Sequence, residues 1–187
     1  MNFRNVKFVT SSIDLSFARK DNKPAILMVG RSNVGKSSLI NALTNQRIAF
    51  SSKKAGKTKM LNYFLIEDKF YLVDSPGYGS TGFATMSTIQ FSSMMEGYVK
   101  EPSLKAICLL LDFRREPGED EKAFYRYLRN TGKPIIAILT KMDAMNQSEK
   151  AKAKKTALEL GFDQFLESDL SAKSLDKIRN VIASYGK

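Results

Sequence analysis

The chain has 187 residues, 43% of them hydrophobic, and a net charge of +11, so it is long enough for one well-buried core and short for two. It has no histidine, which excludes imidazole bases, Ser-His-Asp triads and histidine metal sites, and its single cysteine, Cys108, lies in an apolar run and reads as a buried structural thiol. No apolar run reaches membrane-spanning length, the start MNFRNVKF lacks a signal core and no lipidation motif stands at either end, so the expectation is a soluble, cytoplasmic protein that makes no use of a membrane.

In chain order, residues 1–23 form an N-terminal extension, strand-like at VKFV (6–9), packed on the rest. The apolar run AILMV (25–29) is the first core strand, and GRSNVGKS (30–37) follows it directly. This fits G-x-x-x-x-G-K-[ST] between a strand and a helix, the pattern of a phosphate-binding loop. Glycines let successive backbone N–H groups converge on phosphate oxygens, and the following helix turns its positive dipole end to the same anion. Gly30, Arg31, Ser32, Asn33, Val34, Gly35, Lys36, Ser37 and Ser38 are therefore the expected cradle. Lys36 would bridge the β- and γ-phosphates and the Ser37 hydroxyl would ligate Mg²⁺.

The first helix runs from about Lys36 to Leu43, with Leu39, Ile40 and Leu43 on one side. A basic loop follows to about residue 59, and then LNYFLIE and KFYLVD read as a hairpin turning at Glu67-Asp68 without the usual glycine. SPGYGSTGFATMST (75–88) has no apolar period and reads as a mobile loop. The runs AICLLL (106–111) and PIIAIL (134–139) do not alternate, as expected of parallel strands covered on both faces. GEDEKAFYRYLRNTGKP reads as a helix, with acids in its first turn, Phe124, Tyr127 and Leu128 on one face, and Gly132 and Pro134 as stop signals. Ser148 would cap the next helix and Gly161 end it; QFLES would be a sixth short strand and SLDKIRNVIASYG the last helix. The prediction is one α/β domain over 1–187, a mostly parallel six-stranded sheet with one antiparallel strand and helices on both faces.

Ligands of open α/β sheets sit at the carboxyl ends of the strands. DSPG (74–77) stands at one such end, where Asp74 would hold Mg²⁺ and the Gly77 N–H would meet the γ-phosphate. At another end stands TKMD (140–143). A carboxylate at Asp143 can accept from guanine N1–H and its exocyclic amino group, whereas adenine offers an acceptor there, so guanine is selected. Thr140 belongs to the same segment and Lys141 would lay its aliphatic stem along the base. Ser171, Ala172 and Lys173 follow the last strand, with the Ala172 N–H available to guanine O6. Basic clusters at KKAGKTK (53–59), RR (114–115) and KAKAKK (150–155) point to a polyanionic partner, RNA above all, although a solvated lysine-rich surface would have the same composition.

The succession GRSNVGKSSLINAL, GKT, NYF, DSPGYG, DFRR-x-P-x-x-x-D and TKMD resembles the EngB family of ribosome-biogenesis GTP-binding proteins, P-loop GTPases related to Era and EngA, from about residue 20 to the C-terminus. The resemblance implies a G domain that binds GTP or GDP with Mg²⁺ and hydrolyses GTP slowly as a switch in large-subunit assembly. Its implied partners are ribosomal RNA and proteins of the large subunit or its precursor, met as a monomer. It also implies that Thr58 is the switch threonine that meets Mg²⁺ and the γ-phosphate, with 75–88 as the second switch. Lys36, Thr58, Gly77 and Asn33 would thus serve catalysis, and Ser37, Thr58 and Asp74 the metal. In relatives with asparagine at the Asn33 position that residue helps hold a K⁺ ion; the other reading is an asparagine that only stabilises the turn. Tyr78 replaces the glutamine that often orients water, which is the ground for slow hydrolysis. The family commonly has proline at Ala55, leucine at Ser75, an aromatic at Ser80 and histidine at Arg115. The competing reading is a nucleotide-gated binding module for another RNA or a cell-division partner, with incidental hydrolysis.

Overall fold

The computed structural model describes residues 1–13, 20–49, 60–79 and 88–187. Seven strands form one sheet in the order β1-β3-β4-β2-β5-β6-β7, comprising β1 Val6–Ser12, β2 Ala25–Gly30, β3 Leu61–Ile66, β4 Phe70–Asp74, β5 Leu104–Leu111, β6 Ile135–Leu139 and β7 Phe165–Glu167. Only β3 runs against the rest, as expected. The count exceeds the expected six because the strand-like N-terminal segment pairs with β3 and continues the sheet. Phe3 locks this edge down, buried with its ring 5.9 Å from that of Phe70.

Five α-helices are described: α1 Lys36–Thr44, α2 Thr88–Tyr98, α3 Glu119–Arg129, α4 Gln147–Glu159 and α5 Ala172–Tyr185. Every residue of β2 is buried, because its alternate side chains serve two cores. Ile26 and Met28 meet Leu39, Ile40 and Leu43 of α1 and Leu175, Ile178 and Ile182 of α5. Ala25, Leu27 and Val29 belong to the opposite core with Phe91 and Met95 of α2, Phe124 and Leu128 of α3, and Ala153 and Ala157 of α4. Each large side chain so buried contributes about 1.5–3 kcal/mol, which makes the central strands a stiff platform.

Three local expectations shift. On α3 the fully buried face is Phe124, Tyr125 and Leu128, while Tyr127 only packs at the margin. The cap of α4 is Asn146 in place of Ser148: its side chain accepts from Glu149 N at 3.0 Å and the Glu149 carboxylate accepts from Asn146 N at 2.8 Å. Helix α5 starts two residues early because Ser171 caps it, accepting from Ser174 N at 3.3 Å. The hairpin turn between β3 and β4 forms without glycine, with Glu67 at φ 49° and Asp68 at φ 55° and Lys69 N donating to Ile66 O at 2.9 Å.

Strand register sets the working rim. Met28 lies beside Asp74, Gly30 beside Leu110, Leu111 beside Leu139 and Leu139 beside Glu167. The chain segments after these four strand ends, and after β2 itself, therefore leave the sheet side by side, where the order turns from β4 to β5 around β2. Among the described residues no helix is long and apolar enough to cross a membrane.

Candidate functional site

Helix α1 opens with Gly35 as N-cap at φ 106°, no side chain accepting from its first turn and no acidic residue there. Its leading N–H groups thus have neither an intrahelical acceptor nor a side-chain cap, which makes the end a seat for an anion. Asn33 also sits in the left-handed region, at φ 64°, a conformation asparagine tolerates better than most residues. That conformation accounts for the residue type in backbone terms alone.

Asp74 stands next to this loop, and its carboxylate is ion-paired with Lys36 Nζ, the two side chains being 6% and 10% exposed. After it, the chain fastens onto the phosphate loop. Ser75 Oγ donates to Met28 O at 2.7 Å, Ser32 N donates to Tyr78 O at 2.8 Å, and Arg31 Nε donates to Gly79 O at 2.8 Å. Gly77 lies so close to Ser32 that a Cβ on it would come within 3.0 Å of Oγ and 3.1 Å of Cα. The first side chain past this segment, Tyr78, turns into the core, with its ring 5.1 Å from Phe91 and 5.2 Å from Phe124. Burial above all pushes its phenol well above the usual tyrosine range.

The segment after β6 closes on the same loop from the other side. Thr140 Oγ1 donates to Val34 O at 2.8 Å and Lys141 Nζ donates to Asn33 O at 2.6 Å. Met142 is buried and its N–H donates to Ser168 O at 3.3 Å, which pins the short turn Met142–Ala144 and leaves Asp143 exposed beside it. The same bond brings the start of α5 alongside, where Ser171 caps the helix and the N–H groups of Ala172 and Lys173 lead it. Asp169 accepts from Ser171 N at 2.9 Å, and its hydrogen bonds, from Ser171 first, hold its carboxyl well below the usual range.

Gly30 to Ser38, Asp74, Gly77, Thr140 and Lys141 are thus brought together, with Asp143 and Ser171 to Lys173 on the adjoining rim. Thr58 lies outside the described residues, as do the basic segment 53–59, Ala55, and residues 80–87 of the expected second switch. Among the described residues no three acidic, cysteine or histidine side chains gather as a metal cage, so a divalent ion at Ser37 and Asp74 would need water or phosphate oxygens to complete its shell.

Two residues do more than the sequence assigns them. Arg31 holds the Gly79 carbonyl, and Asp112 lies between Arg114 and Lys141. The sequence signal for the second is its place at the head of the DFRR-x-P-x-x-x-D pattern, a carboxylate at a strand end with arginine two residues on. Beside the phosphate loop a cavity of about 400 Å³ opens toward the loop after β5 and α3, with Arg31, Asn33, Asp112, Arg115 and Lys141 in its walls. The two described basic clusters, at 114–115 and 150–155, are partly neutralised within the fold. Arg114 pairs with Asp112, Arg115 with Glu121, Lys152 with Glu116, Lys154 with Glu167 and Lys155 with Glu159.

Residues 25–141 match the family described as 50S ribosome-binding GTPase. Over 98% of this chain and 93% of its own length, a "Probable GTP-binding protein EngB" from Mesoplasma florum is 40% identical, and one from Solibacter usitatus is 37% identical over 98% and 97%. Among solved structures, a "probable GTP-binding protein engB" superposes with a TM-score of 0.60 at 19% identity, over 86% of this chain and 97% of that one. Era in complex with MgGDPNP and a segment of 16S ribosomal RNA superposes at 0.61 and 20% identity, over 87% and 56%, a likeness of fold.

Proposed function

The chain belongs to the EngB family of GTP-binding proteins, within the 50S ribosome-binding GTPases, and from that premise we propose that this GTPase is a molecular switch in assembly of the large ribosomal subunit. The observation that carries the reading is the bond from Lys141 to the Asn33 carbonyl, which ties the base-reading segment to the phosphate loop in a single pocket.

In this reading the amides of residues 30 to 38 cradle the phosphates and Lys36 leaves Asp74 to bridge the β- and γ-phosphates. Ser37 and Asp74, joined by Thr58 in the triphosphate state, would hold Mg²⁺, which when bound would neutralise charge on the phosphate oxygens. The Gly77 amide senses the third phosphate. Asp143 accepts from the guanine N1–H and amino group, Lys141 lies along the base, Thr140 fixes their segment, and Ala172, with Ser171 and Lys173 around it, faces O6. Because Tyr78 is committed to the core, no side chain at that position orients water, and hydrolysis by the protein alone is slow. If Asn33 also helps to hold K⁺ at the phosphates, turnover depends on K⁺; equal rates in K⁺ and Na⁺ buffers would leave that residue its backbone role only.

The protein then docks as a monomer, in the cytoplasm, on ribosomal RNA and proteins of the large subunit or its precursor in its GTP form, and hydrolysis releases it. A state-dependent partner requires state-dependent contacts, which Gly77 and Thr58 would supply. Two measurements test this. Titration with GTP, GDP and ATP should show guanine preference, weakened at least tenfold by Asp143→Asn. Co-sedimentation with large subunits should be stronger with a non-hydrolysable GTP analogue than with GDP; binding that ignores the nucleotide would leave a module for another RNA or a cell-division partner as the better reading.

A further inference from the structure

The loop from 112 to 118 joins β5 to α3 and carries no role in the mechanism above. Asp112, the first residue after β5, has a side chain only 19% exposed. Its carboxylate receives the guanidinium of Arg114 in a two-pronged bond, Nε to Oδ1 at 2.9 Å and Nη2 to Oδ2 at 2.8 Å, and the Arg114 backbone N–H adds a third at 3.3 Å. Oδ2 also lies 3.2 Å from the ammonium of Lys141, the same ammonium that donates to Asn33 O at 2.6 Å. Burial alone would raise the Asp112 carboxyl, but the bonds from Arg114 and Lys141 outweigh it and hold the group below its ordinary value.

A lysine stem is flexible, and fixing it costs side-chain entropy of about 2 kcal/mol. Both acceptors take a charge-assisted bond from the ammonium, and the carboxylate adds the attraction of a full negative charge. Between them, Asn33 O and Asp112 fix the head of Lys141 at two points, so its stem is held in place before a ligand arrives.

We propose that Asp112 is a positioning residue for the nucleotide base, anchoring Lys141 across the phosphate loop, and that Arg114 holds Asp112 in turn. The proposal rests on the reading of Lys141 as the side chain that lies along the base. Asp112 does not discriminate among purines, because it acts through the lysine and not through the base edge. Asp143 alone senses the exocyclic amino group, which inosine lacks.

The test is calorimetric titration of the full chain with GDP and IDP, using wild type, Asp112→Asn, Lys141→Met, the double variant and Arg114→Met. Asp112→Asn should weaken both ligands by the same factor, about tenfold, leaving the GDP-to-IDP ratio as in wild type. In the Lys141→Met background Asp112→Asn should add no further loss, and Arg114→Met should reproduce a smaller loss of the same pattern. The inference is overturned if Asp112→Asn leaves both affinities intact, changes the GDP-to-IDP ratio, or costs as much without Lys141 as with it. Should Asp112→Asn not melt cooperatively, Arg114→Met alone and in the Lys141→Met background carries the same cycle. Wild type that binds no GDP, or a Lys141→Met variant that binds as wild type does, removes the base-side reading itself, a result distinct from a silent Asp112.

Discussion

At the scale of single residues, two glycines of the pocket differ in what they protect. Gly35 has open space where a Cβ would go but holds φ at +106°, so alanine there strains the backbone without a clash. Gly77 has the opposite problem, since its imagined Cβ meets the backbone of Ser32, which has no flexible end to move aside. Gly77→Ala should cost about 1–3 kcal/mol, measured as a lower melting temperature, and should weaken binding of a GTP analogue more than that of GDP. Tyr78 makes a sharper case. Position after the D-x-x-G segment suggests exchanging it for the glutamine that often orients water, yet its ring is packed between Phe91 and Phe124. Tyr78→Gln should therefore give no faster single-turnover hydrolysis while destabilising the protein by about 3 kcal/mol or more in chemical denaturation. The sequence marks Lys36, Asp74 and Lys141 well, because phosphate and base chemistry demand their types at those spacings. It marks Asp112 only as part of a pattern, because the residue's contact is with a neighbour 29 positions away in the chain.

At the scale of elements, the central strands are legible because a strand buried on both faces leaves a run without alternation, as β2, β5 and β6 do. Caps are harder to read, since several adjacent polar residues compete for one geometric post. Asn146 takes it from Ser148 because Glu149, three residues on, returns the bond to the Asn146 N–H. Asn146→Ala should cost about 1 kcal/mol of stability in a denaturant melt, while Ser148→Ala, inside the helix, should be close to neutral. The Glu67-Asp68 turn was readable as a hairpin without glycine because the flanking apolar strands, paired Ile66 to Phe70, impose the reversal.

Across the whole molecule, the net charge of +11 already counts the acidic residues, but the lysine run at 150–155 overstates where the excess lies. The lysine run of α4 is interleaved with Glu116, Glu159 and Glu167, so its local charge is small even where its sequence looks concentrated. Replacing Lys152, Lys154 and Lys155 by glutamine should leave the salt slope of ribosomal-subunit binding nearly unchanged; a slope reduced by about three would show that these side chains do contact phosphates. Such pairing is long-range in sequence and invisible to composition.

The Lys36 and Asp74 pair carries a consequence of its own. Lys36 and Asp74, paired at the edge of the phosphate loop, largely cancel one another's charge. On the proposed reading, a nucleotide that drew Lys36 away would strand a nearly buried carboxylate facing its own negative charge unless a divalent ion came with it. Chelating Mg²⁺ should thus loosen GDP by at least tenfold in a release assay, and Asp74→Asn should blunt that sensitivity. On that reading nucleotide and divalent ion would each strengthen the other's hold on the pocket.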